Sequence, residues 1–147
     1  MEISLSNWQK RVACDSGKIR RAAKKILKLL GCAASELSIV IVDDEQIRRL
    51  NRQYFHRSRP TNVISFPQQS FAGHPARVLG DVVISIETAQ RQAQIRGVQL
   101  EEEIIILLIH GLLHLLGYDH EGSAEERKKM TAKEKELCAH FRLALEP

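Results

Sequence analysis

Three histidines stand close together in the stretch HGLLHLLGYDH, residues 110–120. His110 and His114 are four residues apart, so on a helix they would share one face and could hold the same metal ion. Gly117 can adopt the left-handed conformation that turns the chain back, which would return His120 to that ion. Three neutral imidazoles leave a fourth tetrahedral position open, which is typical of a catalytic zinc site. Nickel, copper and iron also bind imidazole, so zinc is favoured among several candidates.

The residue after the first histidine argues against peptidase chemistry. The same ligand spacing occurs in the zinc-protease motif H-E-x-x-H-x-x-G-x-x-H, whose glutamate activates water. Gly111 stands at that position and cannot act as a base. His110 and His114 would be costly polar groups in an apolar helix without a partner, which favours their interpretation as ligands. The remaining histidines are scattered and are interpreted as surface residues: His56, His74 and His140.

A buried central helix must carry the first two ligands. Residues 101–116 begin with three glutamates, which suit a helix N-terminus, and are then apolar nearly all round. Strands are predicted at Glu2–Asn7, Leu37–Val42, Val63–Phe66 and Gly80–Ile86, and further helices at 16–30, 44–54, 87–96 and 123–141. This order predicts an α+β fold in which residues 1–147 form one domain, with helices packed on a small mixed sheet of about four strands. The metal site would lie at the C-terminal end of the central helix.

Composition bounds the class of protein. A chain of 147 residues, with 44% apolar and 27% charged residues, is typical of one soluble domain. The longest apolar run, Ile104–Ile109, is too short to span a bilayer, and the first residues lack a signal-peptide pattern. We therefore expect a cytoplasmic protein without a membrane partner. The cysteines are few and widely spaced, which favours reduced, partly buried thiols: Cys14, Cys32 and Cys138.

Charge is unevenly distributed. Residues 1–60 contain thirteen Lys/Arg and six Asp/Glu, whereas residues 61–147 contain nine and twelve. A basic half suggests a surface that faces a polyanion, although a solvated helix face would explain the same pattern. Five cations of the first helix lie off its apolar stripe and share its solvent face: Arg20, Arg21, Lys24, Lys25 and Lys28.

Three stretches of the chain resemble one family. HGLLHLLGYDH is similar to the H-G-x-L-H-L-x-G-Y-D-H motif of the YbeY family of endoribonucleases. PTNVISFP, residues 60–67, resembles that family's P-T-[DN]-V-L-S-F-P, and LGDVVIS, residues 79–85, resembles its L-G-D-I-x-I-S. The order and spacing of the motifs also fit, so the resemblance covers most of the chain.

The resemblance implies a cytoplasmic, zinc-dependent endoribonuclease. It implies one Zn²⁺ per chain, held by His110, His114 and His120, and an α+β fold with a four-stranded sheet. The implied substrate is single-stranded RNA. The implied roles are 3′-end maturation of small-subunit 16S ribosomal RNA and late ribosome quality control, with the small ribosomal subunit and assembly factors as partners.

The chain departs from the family pattern at one position. The family places an arginine directly after an N-x-x-[YF] unit, where it is thought to face the substrate. Here that unit is Asn51–Tyr54 and the next residue is Phe55. Arg57 or Arg59 could supply the charge from the same loop, or both are simply solvated.

We expect the metal to acidify its bound water and to polarise a phosphoryl oxygen, with Arg57 and Arg59 as candidates to stabilise the developing charge. Asp81 is a candidate to orient a ligand histidine or to accept a proton, and also a candidate cap or turn carboxylate. Asp119 and Glu121 flank the third ligand, where support of that ligand is favoured over proton transfer. If no carboxylate serves as the base, metal hydroxide or a substrate oxygen must.

Two other functions are compatible with the sequence. One is a non-catalytic RNA-binding factor of ribosome assembly that uses the metal structurally. The other is a metallopeptidase, which Gly111 makes less favourable because the usual base is missing.

Overall fold

The computed structural model describes residues 2–56, 61–68, 78–119 and 122–143. The strands are β1 (Glu2–Asn7), β2 (Glu36–Val42), β3 (Val63–Pro67) and β4 (Val78–Ser85). The helices are α1 (Ser16–Leu29), α2 (Asp44–Phe55), α3 (Ile86–Arg96), α4 (Leu100–Leu115) and α5 (Ala124–Ala139). The predicted types and order of these elements are confirmed, and the boundaries differ by a few residues. The largest difference at a strand start is in β4, which begins two residues before the predicted Gly80.

The four strands form one mixed sheet in the order β1-β2-β4-β3. β1, β2 and β4 are parallel, and β3 pairs antiparallel with β4 at the edge. The inner strands β2 and β4 are rich in valine and isoleucine because both of their faces are covered. This sheet, with helices on both faces, confirms the predicted α+β class.

Helix α4 is the centre of the main core. Its residues Ile104–Ile109 are all buried, because the helix meets the sheet on one side and α1, α3 and α5 on others. The opposite face of the sheet carries a smaller core, in which Val40 and Val83 pack with Ile47 of α2. The apolar composition that predicted a central buried helix is thus explained by neighbours on several sides of α4.

Gly111 allows α4 to approach the sheet closely. A Cβ at this position would lie 2.7 Å from Cγ1 of Val82, 3.2 Å from Oγ of Ser65 and 3.3 Å from Cγ2 of Val63. The Ser65 hydroxyl also donates a 2.9 Å hydrogen bond to the Gly111 carbonyl oxygen. The position one residue after His110 therefore faces β3 and β4, and the missing side chain is a packing requirement.

Asp44 links the start of α2 to the turn between β4 and α3. Its Oδ1 accepts 2.6 Å hydrogen bonds from the hydroxyls of Ser85 and Thr88, and its Oδ2 lies 2.8 Å from Nη2 of Arg91. Burial acts to raise the pKa of Asp44, but these three partners outweigh it and hold the pKa below its ordinary value of 3.8. The carboxylate therefore stabilises the fold in its charged form.

Across the four described segments, no helix combines the length and apolarity needed to cross a membrane. The three cysteines are free thiols, as expected, and Cys138 is buried. Burial raises the pKa of Cys138 to about 11, so its thiol stays protonated and unreactive at neutral pH.

We predict that Gly111→Ala destabilises the protein, although the same change usually stabilises a helix by about 1 kcal/mol. The new Cβ would collide with Val82 and would force overpacking that costs about 1–3 kcal/mol. Urea denaturation measures the difference. Gly17→Ala in α1 is the matched control, since the nearest atom there is the mobile guanidinium of Arg21. A Gly111→Ala midpoint at or above that of the wild type would contradict the packing argument.

We predict that Asp44→Asn costs about 1–3 kcal/mol of stability at pH 7, where it removes charged hydrogen bonds. The folded-state pKa is lowered, so this stability is present above pH 3.8 and is lost as the pH falls through the folded value. The difference between the two proteins should therefore shrink below pH 3.8 in denaturation experiments. Exposed Glu45, which pairs with arginines at the surface of α2, provides the control Glu45→Gln. An Asp44→Asn deficit that persists unchanged at low pH would exclude the charge as its cause.

Candidate metal centre

The structure brings His110 and His114 together in the last two turns of α4. Their Nε2 atoms are 3.0 Å apart and their ring centroids 4.5 Å apart, with the rings nearly perpendicular. The His110 side chain is 28% exposed, whereas the preceding residues of the helix are buried. The two imidazoles therefore present their Nε2 atoms to one point at the accessible end of α4.

This nitrogen pair fits a transition-metal ion. Two imidazoles on a tetrahedral zinc ion with Zn–N bonds of 2.0–2.1 Å have nitrogens about 3.3 Å apart. The observed 3.0 Å is close to that spacing, so a small rotation of either ring satisfies it. The donor type also fits, since neutral imidazole is a common ligand of zinc.

A buried glutamate faces the other ring nitrogen of His110. Oε2 of Glu134 lies 3.5 Å from Nδ1 of His110, and the Glu134 side chain is only 9% exposed. A carboxylate on the outer nitrogen of a ligand histidine orients the ring and favours the tautomer whose inner nitrogen is free for the metal. Glu134 was missed in the sequence, although it carried a signal: it interrupts the buried stripe of α5 formed by Met130, Leu137 and Cys138.

Gly117 ends the helix as the sequence predicts. Its φ is +96°, and the amides of Gly117 and Tyr118 donate to the carbonyl oxygens of His114 and Leu113. This left-handed turn reverses the chain toward α5. His120 lies outside the described residues, so its return to the metal remains a prediction. Within the described segments, no three His, Cys, Asp or Glu side chains form a metal-binding group.

The structure places Asp81 within strand β4. It is an interior residue of β4, and its neighbour Val82 faces α4. Since side chains alternate along a strand, Asp81 points to the opposite face, where its cross-strand partner Phe66 joins the α2 core. The roles predicted for Asp81, to orient a ligand histidine or to accept a proton, stay predictions.

The predicted basic loop carries two predicted site residues that the described residues do not cover. Arg57 and Arg59 lie outside the described residues, as does Glu121, and their predicted roles are untested. Phe55, at the position of the family arginine, is the last residue of α2 rather than part of the loop, and is 46% exposed. Its ring centroid lies 6.0 Å from that of Phe66. An aromatic contact on the α2 face thus occupies the place of the charge.

An open cavity of about 320 Å³ adjoins the end of α4. Its lining combines one aromatic residue, one cation and two carboxylate residues with the end of the helix: Tyr118, Lys129, Asp119, Glu126, Leu116 and Gly117. Tyr118 and Lys129 are the lining residues whose types suit contact with a nucleic-acid base and a phosphate. The cavity extends the site beyond the two imidazoles.

Comparisons with known proteins identify the family of the chain. Residues 4–142 match the family described as Endoribonuclease YbeY. The chain is 46% identical over 142 residues to an Endoribonuclease YbeY of Geobacter metallireducens, with 95% of each chain covered. It is 46% identical over 129 residues to one from Aquifex aeolicus, covering 87% of this chain and 85% of that one.

A solved structure shows the same fold. The solution structure of a Thermotoga maritima protein matches with a TM-score of 0.59 and 24% identity, covering 95% of this chain and 91% of the other. That likeness concerns the fold alone, whereas the family match and the sequence identities extend over nearly the whole chain. The chain belongs to the YbeY family of endoribonucleases.

Proposed function

We propose that this member of the endoribonuclease family is a cytoplasmic, zinc-dependent hydrolase that cleaves single-stranded RNA. In this proposal residues 1–147 act as one domain, and the substrate is ribosomal RNA, cut during 3′-end maturation of 16S RNA and in late ribosome quality control. The small ribosomal subunit and assembly factors are the proposed partners. The observation that supports it most is the pair of converging Nε2 atoms, 3.0 Å apart at the accessible end of α4.

Some residues of the proposed centre would bind the metal ion, and others position the residues that bind it. His110, His114 and His120 would hold one Zn²⁺, which when bound would act as a Lewis acid toward the phosphodiester and make water more acidic. Glu134 favours a proton on Nδ1 of His110, which leaves the Nε2 lone pair available. Ser65 and Gly111 set the packing distance between this part of α4 and the sheet.

Substrate contacts are proposed at the end of α4. Lys129 can pair with a phosphate in the adjoining cavity, and Tyr118 can stack with a base. Arg57 or Arg59 is proposed to add charge near the scissile phosphate. Asp119 and Glu121, which flank the third ligand in sequence, are proposed to support that ligand, and Asp119 lines the cavity.

A peptidase is disfavoured by geometry as well as by residue type. In the protease motif the base is the side chain directly after the first histidine. Here the direction of a Cβ at that position leads into Val82, Ser65 and Val63. A glutamate at 111 would therefore point into the sheet and not toward a substrate.

His114→Ala tests whether the centre is catalytic. We expect a folded protein that binds less zinc and cleaves single-stranded RNA more than about 100-fold more slowly, since losing a ligand exceeds the 10–100-fold effect of losing a partner outside the ligand set. Metal analysis, thermal unfolding and single-turnover cleavage with and without a chelator give the three readouts. His140→Ala is the control, because His140 is an exposed histidine beyond α5.

Each alternative predicts a different result for the same variant. If the protein is an assembly factor with a structural metal, the His114→Ala variant should be unfolded, and so should the wild type after a chelator removes its metal. A folded His114→Ala protein that cleaves at the wild-type rate would refute the proposed centre.

Glu134→Gln tests the positioning of His110. The amide keeps the size of the side chain but removes the charge that favours the Nδ1 proton, so zinc affinity should fall by about 10–100-fold. Chelator competition on the folded protein measures this affinity independently of activity, and urea denaturation records any loss of stability. Glu136→Gln is the control, since Glu136 is an exposed glutamate of the same helix that pairs with Lys133. Equal zinc affinity in both variants would remove Glu134 from the centre.

A further inference from the structure

Helix α1 carries positive charge without any balancing negative charge of its own. It contains six Lys/Arg and no Asp/Glu, and all but one of its cations are exposed. By contrast, α5 has five Lys/Arg together with four Asp/Glu. The cations of α1 are Lys18, Arg20, Arg21, Lys24, Lys25 and Lys28.

These cations are not neutralised by neighbouring elements in the described segments. No described carboxylate forms an ion pair with any of them, whereas Arg48 and Arg49 of α2 pair with Glu45 and Lys133 of α5 pairs with Glu136. Like charges at i, i+4 spacing destabilise a helix by a few tenths of a kcal/mol per pair. The apolar stripe that packs α1 on the core must offset this repulsion.

The cations form a continuous surface. Arg20, Lys24 and Lys28 follow one another at four-residue intervals, which places them in one row along the outside of the helix. Lys25 borders the row, donates a 2.9 Å hydrogen bond to the carbonyl oxygen of His140 and lies over the ring of Phe141. This contact joins α1 to the turn after α5, where Arg142 is exposed. We call the surface formed by the six cations of α1 the α1 basic face.

The α1 basic face is remote from the histidines. The cap of α1 meets the start of α4, where the amide of Asp15 donates to Glu101 over 3.1 Å. Glu101 precedes His110 by nine residues, which is about 14 Å of helix. At its other end the face meets His140, six residues beyond Glu134, or about 9 Å along α5. Both anchor points of the face are thus separated from His110 by about 9 Å or more of helix, which is more than the rise of one nucleotide along a strand.

We propose that the α1 basic face binds the phosphate backbone of the RNA substrate at a distance from the cleavage point. This inference rests on the proposed function and extends it to the length of RNA that the protein engages. Backbone phosphates require only positioned cations, which the row supplies. Lysine is depleted at protein–protein interfaces, and two of the three residues of the row are lysines, which favours phosphate over a protein partner.

Two triple variants of the full chain test the proposal. Arg20→Gln/Lys24→Gln/Lys28→Gln removes the row, and Arg127→Gln/Lys128→Gln/Lys135→Gln removes three exposed charges from α5 as the matched control. Binding is measured on 2′-O-methyl RNA of about 40 nucleotides across a salt series, and cleavage on RNA of about 40 and about 6 nucleotides, lengths chosen around the site sizes of single-strand binders.

Log K, where K is the binding constant, falls as log salt rises. Loss of the row should make this negative slope shallower by about 2, since three phosphate contacts each contribute about 0.7. It should raise KM for the long RNA, leave kcat unchanged and leave cleavage of the short RNA at the wild-type level. The α5 variant should keep the wild-type slope. A slope for the α1 variant equal to that of the wild type or of the α5 control would overturn the proposal, and would leave an acidic protein as the ligand of this face. If the wild type cleaves neither RNA the proposed function fails, while the binding slope still decides the role of α1.

Discussion

The close contact between Gly111 and the edge of the sheet determines the geometry of the whole centre. A side chain at this position would collide with Val82, so α4 can reach its observed depth only with glycine there. Successive helix residues point 100° apart. With position 111 directed at the sheet, His110 and His114 must point sideways, along the open end of the helix. The same contact places the Gly111 carbonyl within reach of Ser65, which ties the edge strand β3 to the centre.

The rest of α4 makes this contact rigid. Because α4 is buried on several sides, its ten buried residues oppose any sliding or rotation of the helix. Its last turns are the part where burial gives way to exposure, and both imidazoles lie there. Glu134 approaches from α5, an outer helix that packs on α4. The centre is therefore assembled from a core helix, an edge strand and an outer helix, each of which fixes a different atom of His110 or its neighbours.

Local patterns in the sequence were sufficient for the elements but not for the faces they present. The nine elements follow from caps, glycine stops and periodicity, which act within a few residues. Asp81 shows what such patterns omit: Val82, Val83 and Ile84 are all buried, so the alternation of β4 does not reveal which face meets α4. Glu134 shows the same limit, since a glutamate in a buried stripe indicates a polar partner without identifying it. Both required the packing of elements that are distant in sequence.

The charge of α1 is separable from the needs of the fold. Its apolar stripe of Ile19, Ala22, Ala23, Ile26 and Leu27 accounts for its packing, and none of those contacts requires the outer residues to be cationic. A helix selected for stability alone would intersperse acidic residues at i, i+3 or i, i+4 to relieve the repulsion, as α5 and α2 do. The absence of such residues from α1 is a cost in stability that packing does not demand. An external anion explains this unbalanced positive charge better than the packing of the protein interior does. RNA is the polyanion on which this enzyme family acts.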